Sequence, residues 1–353
     1  MKIKRFLVVL SILLLGITLS SCSSNATAIN SWGGVTATDS AVYIANGTSI
    51  LSLKAESGSV TWTYPEKASA SRLFYAAPAV AGDQIIVGDY AGKLVSLGIR
   101  DGKELWSFSE AKGHYVYAPL VTEKMIIAQN ADGNIYALDL DGTKVWTFSG
   151  THGFWATPVT DGTTIYAPCL DHYLYAINLA DGQLKWKQNL GGPLVSSPVL
   201  SAEGVLYLGT LDKTIIALSS TDGSILWKQT STSGVWATPV VLNDQLYVGD
   251  ESGNISILKI ADGSIIKSVD INSSVISSGV VMNGSLVFGD ENGEIISIDK
   301  DGKRVILSTL TGKIYSNLVL SKDQLYVLLT SGDKVLVTLD SNGNETWNYT
   351  ASK

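Results

Sequence analysis

The sequence predicts an all-β fold, an eight-bladed β-propeller with four antiparallel strands per blade, from three features of the 353-residue chain. Turn pairs recur at a nearly fixed interval: Ser57-Gly58, Asp101-Gly102, Asp141-Gly142, Asp181-Gly182, Asp222-Gly223, Asp262-Gly263, Asp301-Gly302 and Asn342-Gly343, spaced by 44, 40, 40, 41, 40, 39 and 41 residues. Five positions after the first member of each pair stand Trp62, Trp106, Trp146, Trp186, Trp227, Lys267, Ile306 and Trp347. Each interval also holds four short apolar-alternating runs with connections suited to hairpins. In the third unit these runs are Tyr117–Thr122, Met125–Gln129, Asn134–Leu140 and Lys144–Phe148.

Taken in order, the chain begins with a basic stretch, Met1–Arg5, followed by the apolar run Phe6–Ile17 and then small residues. This three-part pattern is that of a secretory signal and is too short to span a bilayer comfortably. Cys22 follows Leu19-Ser20-Ser21. That junction resembles a bacterial lipobox, which implies cleavage after Ser21 and lipidation of Cys22; the alternative is an ordinary signal with a chance cysteine. Several acyl chains together give stable anchoring. Ser23 stands where the inner-membrane retention aspartate would be, so an outer-membrane address is expected in a two-membrane bacterium, and the outer face of the cytoplasmic membrane otherwise. The expected organisation is a leader at 1–21, a lipidated tether at 22–31 and one propeller domain at 32–353.

Removing Lys2, Lys4 and Arg5 with the leader takes the formal charge from −7 to −10. An acidic domain lacks the basic footprint of a nucleic-acid binder. Cys169 is the only other cysteine, so a lipidated Cys22 leaves no intramolecular disulfide; Cys169 is expected as a buried strand thiol.

Within the repeat the blades are expected to begin near Trp32, Phe74, Tyr115, Phe154, Leu194, Val235, Val275 and Ile314. The opening run often carries proline, at Pro78, Pro119, Pro158, Pro198 and Pro239. Proline has no ladder donor and belongs at strand edges or starts, so these mark the innermost strand beside the axis. The tryptophan strand is then outermost, with its ring docked on the adjacent blade. The first unit has its own inner strand (Gly34–Thr38) and the last its own outer strand (Glu345–Tyr349), so blades one and eight should meet without exchanging strands.

The runs Ile135-Tyr136-Ala137-Leu138-Asp139 through Trp146, and Leu174-Tyr175-Ala176-Ile177-Asn178 through Trp186, resemble the repeats of PQQ-like (quinoprotein-type) β-propellers. Together with the lipobox and eight units, the pattern is similar to the BamB-type lipoproteins of the outer-membrane β-barrel assembly machinery. The resemblance implies a membrane-anchored, non-catalytic and monomeric propeller that binds envelope proteins. For the quinoprotein dehydrogenases it would imply a quinone with Ca²⁺ and an aspartate base, and often vicinal cysteines. This chain has no vicinal cysteines and no large insertions, and none of its positions matches the family's calcium ligands or base. No cofactor, metal site or catalytic residue is therefore expected. His114, His152 and His172 match no ligand spacing and are expected as loop residues.

Two departures from the repeat are candidate functional features. Three residues before the inner-strand prolines, or at the equivalent positions, stand Tyr75, Val116, Trp155, Val195, Trp236, Ile276 and Tyr315. The aromatic members, with Phe74, Tyr115, Tyr117 and Phe154 nearby, either fill the taper where strands converge or form a rim for a small ligand or glycan. The loops after the second strands carry Asp89, Asp250, Glu251, Asp290 and Glu291. These are either solvated turns or an acidic surface for a basic partner.

Overall fold

The computed structural model describes residues 33–351. The leader 1–21, the tether 22–31, Cys22 and Trp32 lie outside the described residues. The described chain forms eight four-stranded antiparallel sheets, each built from consecutive strands of one repeat. In the third blade the strands are Leu120–Val121, Met125–Gln129, Asn134–Asp139 and Lys144–Ser149. The inner strand is shorter than the expected Tyr117–Thr122, because the residues before it leave the ladder to line the axis. The second and third strands are buried on both faces between neighbouring blades, so they read as near-continuous apolar runs.

The Asp141-Gly142 turn is wider than the tight two-residue hairpin the dipeptide suggests. It spans Leu140–Thr143 and is followed by a register shift at Ala137/Leu138. Gly142 carries the positive φ, 83°, and the upstream Asp139 ties the turn together by accepting from the N–H groups of Asp141 and Thr143 at 3.0 and 2.8 Å. A turn with one left-handed glycine followed by a bulge accounts for the extra residue.

The repeated glycine and the repeated tryptophan meet across the blade seams. The Trp146 ring lies on Gly182 of the next blade, where an added Cβ would come within 2.6 Å of its Cε3. Its Nε1 donates to Leu179 O at 3.0 Å. The same pair of contacts joins Trp62 to Gly102 and Ile99, Trp106 to Gly142 and Leu140, Trp186 to Gly223 and Ser220, and Trp227 to Gly263 and Ile260. Trp347 of the eighth blade docks on Gly58 of the first and donates to Ala55 O at 2.9 Å. The ring thus closes seam to seam without strand exchange. Ser316 Oγ donating to Gly33 O and a shared apolar cluster, Val35, Val42 and Ile44 with Tyr326 and Leu336, reinforce the join.

Two seams lack tryptophan. At Gly302 the aliphatic stem of Lys267 covers the glycine and its Nζ donates to Asp301 O at 2.7 Å, so lysine imitates both halves of the tryptophan contact. In the seventh blade the register shift moves to Ile295/Ile296, Ile306 turns outward and Leu307 meets Gly343 instead. Restoring the template with Lys267→Trp is expected to raise unfolding stability by about 1–2 kcal/mol, since a larger ring buries more apolar area on the same glycine. Urea unfolding checks this, with the midpoint moving up while the slope stays constant.

Candidate functional site

Alternation along each inner-strand entry sorts its side chains into two environments, because successive residues of an extended chain point to opposite faces. Phe74, Tyr115, Phe154, Leu194, Val235, Val275 and Ile314 point between blades and are at most 2% exposed. The first three therefore belong to the inter-blade core, not to an aromatic rim. Their successors Tyr75, Val116, Trp155, Trp236, Ile276 and Tyr315 point toward the axis and remain partly exposed, while Val195 is buried.

The structure brings Tyr75, Trp155, Trp236 and Tyr315 to the wall of one cavity of about 610 Å³, together with Tyr90 and Tyr117. These six rings come from blades two, three, four, six and eight. Trp236 Nε1 donates to Tyr117 OH at 3.3 Å. Blades three and six are not neighbours, so this bond crosses the axis and braces the cavity. Burial raises the Tyr117 pKa and keeps its hydroxyl protonated. At the rim Tyr75 meets Tyr90 edge-on at 5.1 Å, and Tyr90 stacks on His114 at 3.7 Å. Tyr315 OH donates to Glu291 Oε1 at 2.7 Å, and Lys313 Nζ joins the same carboxylate at 2.6 Å. Thr157, Ser316 and Asn317 contribute the other polar side chains of the wall.

A quinone with Ca²⁺ does not fit here. No described lining residue is charged, whereas the quinone's carboxylates need cationic or N–H partners and the ion needs several oxygen ligands, carboxylates among them. Among the described residues no group of three His, Cys, Asp or Glu side chains is placed to hold a metal.

The acidic-loop residues divide differently from the sequence reading. Asp89, Asp250 and Asp290 are at most 1% exposed and point inward. Asp250 Oδ1 accepts from the N–H groups of Ser252 and Asn254 at 3.0 and 3.1 Å, and its Oδ2 accepts from Ser231 Oγ and Ser233 N–H at 2.9 and 3.1 Å. Burial alone would raise its pKa, but these hydrogen bonds outweigh it and hold the carboxyl below the usual range. Asp89 accepts from the N–H groups of Ala91 and Lys93 and pairs with Arg72 at 2.9 Å. Asp290 Oδ1 accepts from Asn292 and Glu294, while its Oδ2 has no partner among the described residues. These three aspartates fasten their own loops, so of the five residues only Glu251 and Glu291 offer carboxylates to the surface, and Glu291 is already paired with Lys313.

Asn130, Cys169 and Thr210 occupy the same position in blades three, four and five, where each residue's N–H donates to the carbonyl four residues on. Cys169 is a buried thiol, 3.2 Å from His152 O, and burial pushes its pKa up to about 12. It stays a thiol at physiological pH and is a poor nucleophile.

The alignment of inner strands anticipates the cavity wall, but a pair of aliphatic outer strands escapes it. Blades one to five each expose one large apolar residue on the outer strand, Val60, Leu105, Val145, Leu184 or Leu226. Blades six and seven expose two each: Ile265, Ile266, Val305 and Ile306, at 44–46%. The signal in the sequence is the loss of tryptophan at Lys267 and Ile306.

The sequence matches the family described as "Outer membrane protein assembly factor BamB" over residues 21–117, 46–154, 149–275 and 268–353. The outer membrane protein assembly factor BamB of Xanthomonas campestris pv. campestris is 32% identical over 109 residues, 31% of this chain and 26% of that protein. Protein Rv3035 of Mycobacterium tuberculosis is 38% identical over 69 residues, 19% of this chain and 17% of that protein. The chain thus matches about a quarter or less of the length of these relatives. The crystal structure of BamB from Moraxella catarrhalis superposes with a TM-score of 0.72 at 18% identity, covering 86% of this chain and 92% of that one, a likeness of fold. With the family match running through all eight blades, the protein belongs to the outer membrane protein assembly factor BamB family.

Proposed function

We propose that the protein is a non-catalytic interaction scaffold of the bacterial cell envelope, anchored through lipid on Cys22, that serves the assembly of outer-membrane proteins. The observation that carries this reading is the family match along the whole propeller, which names an assembly factor. The chemistry of the described site agrees with it. Asp89 and Asp250 are committed to hydrogen bonds and an ion pair within their loops, the one described cysteine is a buried thiol, and the axial cavity has no charged wall residue among those described.

The contact surface we assign is the outer edge of blades six and seven. Two neighbouring edge strands there expose paired aliphatic residues, Ile265 with Ile266 and Val305 with Ile306. An exposed apolar edge is a template for association, which a monomeric propeller would otherwise blunt. Affinity capture of the full chain from detergent-solubilised envelopes should recover components of the outer-membrane protein assembly apparatus. The double substitution Ile266→Glu and Ile306→Glu should reduce that recovery at least about tenfold, because burying each side chain is worth about 1.5–3 kcal/mol. Undiminished recovery would remove this edge from the account, and the absence of assembly components from the eluate would remove the scaffold role.

A further inference from the structure

The axial cavity is not needed to hold the ring together. Seam contacts and the inter-blade clusters already do that, and rings that merely filled the taper would leave no space between them. Here six aromatic rings surround about 610 Å³, a volume within the range of small-molecule sites, about 300–1,000 Å³. The wall combines flat apolar faces with hydroxyl, amide and indole N–H groups and, among the described residues, carries no charge. A charged ligand would lose its hydration there without an opposite charge to meet it. Thr157 Oγ1 gives its proton to Ala118 O at 2.9 Å and Asn317 Oδ1 accepts from Ser278 N–H at 2.9 Å, so a purely apolar ligand would cover the Tyr117 O–H, the Asn317 NH₂ and the Thr157 lone pairs with nothing to bond them to. The occupant that satisfies both halves of the wall has apolar ring faces edged by hydroxyls and no net charge.

We propose that this cavity binds a neutral saccharide, one to three pyranose rings long, stacked on Trp155 and Tyr75 and hydrogen-bonded by Tyr117, Thr157 and Asn317. Tyr117 accepts from Trp236 and keeps its own proton to donate, so the cross-axis bond orients it for a sugar hydroxyl. The ion pair bonded to the Tyr315 ring, Lys313 with Glu291, is internally neutralised at the rim and holds that ring's edge in place. The inference is independent of the scaffold reading, since it concerns the axis and not the outer edge.

The test is titration of the folded protein with maltotriose, cellotriose, tri-N-acetylchitotriose and, as the charged control, trigalacturonate, followed by tryptophan fluorescence and calorimetry. At least one neutral trisaccharide should bind saturably with a Kd below about 1 mM, and trigalacturonate at least about tenfold more weakly. Trp155→Ala should weaken binding about tenfold, the worth of one ring contact, and Trp155→Phe less. Ile276→Trp, which fills the cavity rather than emptying it, should abolish binding in a protein whose circular dichroism is unchanged. The proposal is overturned if no neutral sugar saturates by 10-fold above that limit, if trigalacturonate binds as well, or if the filled variant binds undiminished.

Discussion

Replacing Trp146 with alanine is expected to lower unfolding stability by about 3–5 kcal/mol, the usual cost of emptying a buried tryptophan site. The ring is 8% exposed, covers Gly182 and donates to Leu179 O across the seam, so its removal empties an inter-blade contact and strands a carbonyl. Ile306→Ala, at the equivalent repeat position, should cost less than about 0.5 kcal/mol, because that side chain faces solvent. Gly182→Val attacks the same seam from its other side. Its φ of 73° suits glycine, and a Cβ would collide with the indole, so it should approach the cost of Trp146→Ala. The two changes share one contact, and the double variant should therefore fall well short of the sum. Urea unfolding of the four proteins gives the comparison.

The second large effect concerns the inward-facing aspartates. Asp250→Ala should cost about 3 kcal/mol or more, since it strands the N–H groups of Ser252, Asn254 and Ser233 inside the loop. Asp250→Asn should cost about 2 kcal/mol, because an amide NH₂ would face the Ser233 N–H donor. Asp290→Asn should stay within about 1 kcal/mol: its Oδ2 has no partner to lose among the described residues, and Asn130 shows the amide accommodated at this position, donating to Gly113 O at 3.2 Å. For Asp250 the sign of the pH effect follows from its depressed folded-state pKa. A carboxyl held below its unfolded value of about 3.9 stabilises the fold above that pH and loses the contribution as pH falls through the folded value. Asp161 behaves alike: burial opposes ionisation, but hydrogen bonds from Tyr166 and Thr163 bring its pKa to about 2. Stability should decline between about pH 4 and pH 2, and less steeply in Asp250→Ala.

The architecture was legible because a propeller writes its geometry at fixed intervals. The glycine needed for one left-handed residue and the tryptophan docked on it recur together, and their spacing locates every blade. The axial rings were legible as residues that the template does not require. What alternation alone could not separate was Tyr75 from Phe74, neighbours that face the axis and the inter-blade core respectively. The buried role of Asp89, Asp250 and Asp290 was hidden for a different reason. An aspartate in a polar turn reads as solvated, and only its register with Asn130, Cys169 and Thr210 reveals a position that faces inward in blades two to seven. Lys267 was equally opaque, since a lysine in place of a tryptophan signals loss of the seam until its stem is seen lying on Gly302.

The role proposed for this propeller is in the assembly of outer-membrane proteins. The most direct measurement is to deplete it from its own cells and quantify the folded, heat-modifiable fraction of envelope β-barrel proteins. That fraction should fall, and be restored by the protein with Cys22 intact but not by Cys22→Ala, which cannot be lipidated. An unchanged folded fraction in depleted cells would contradict it.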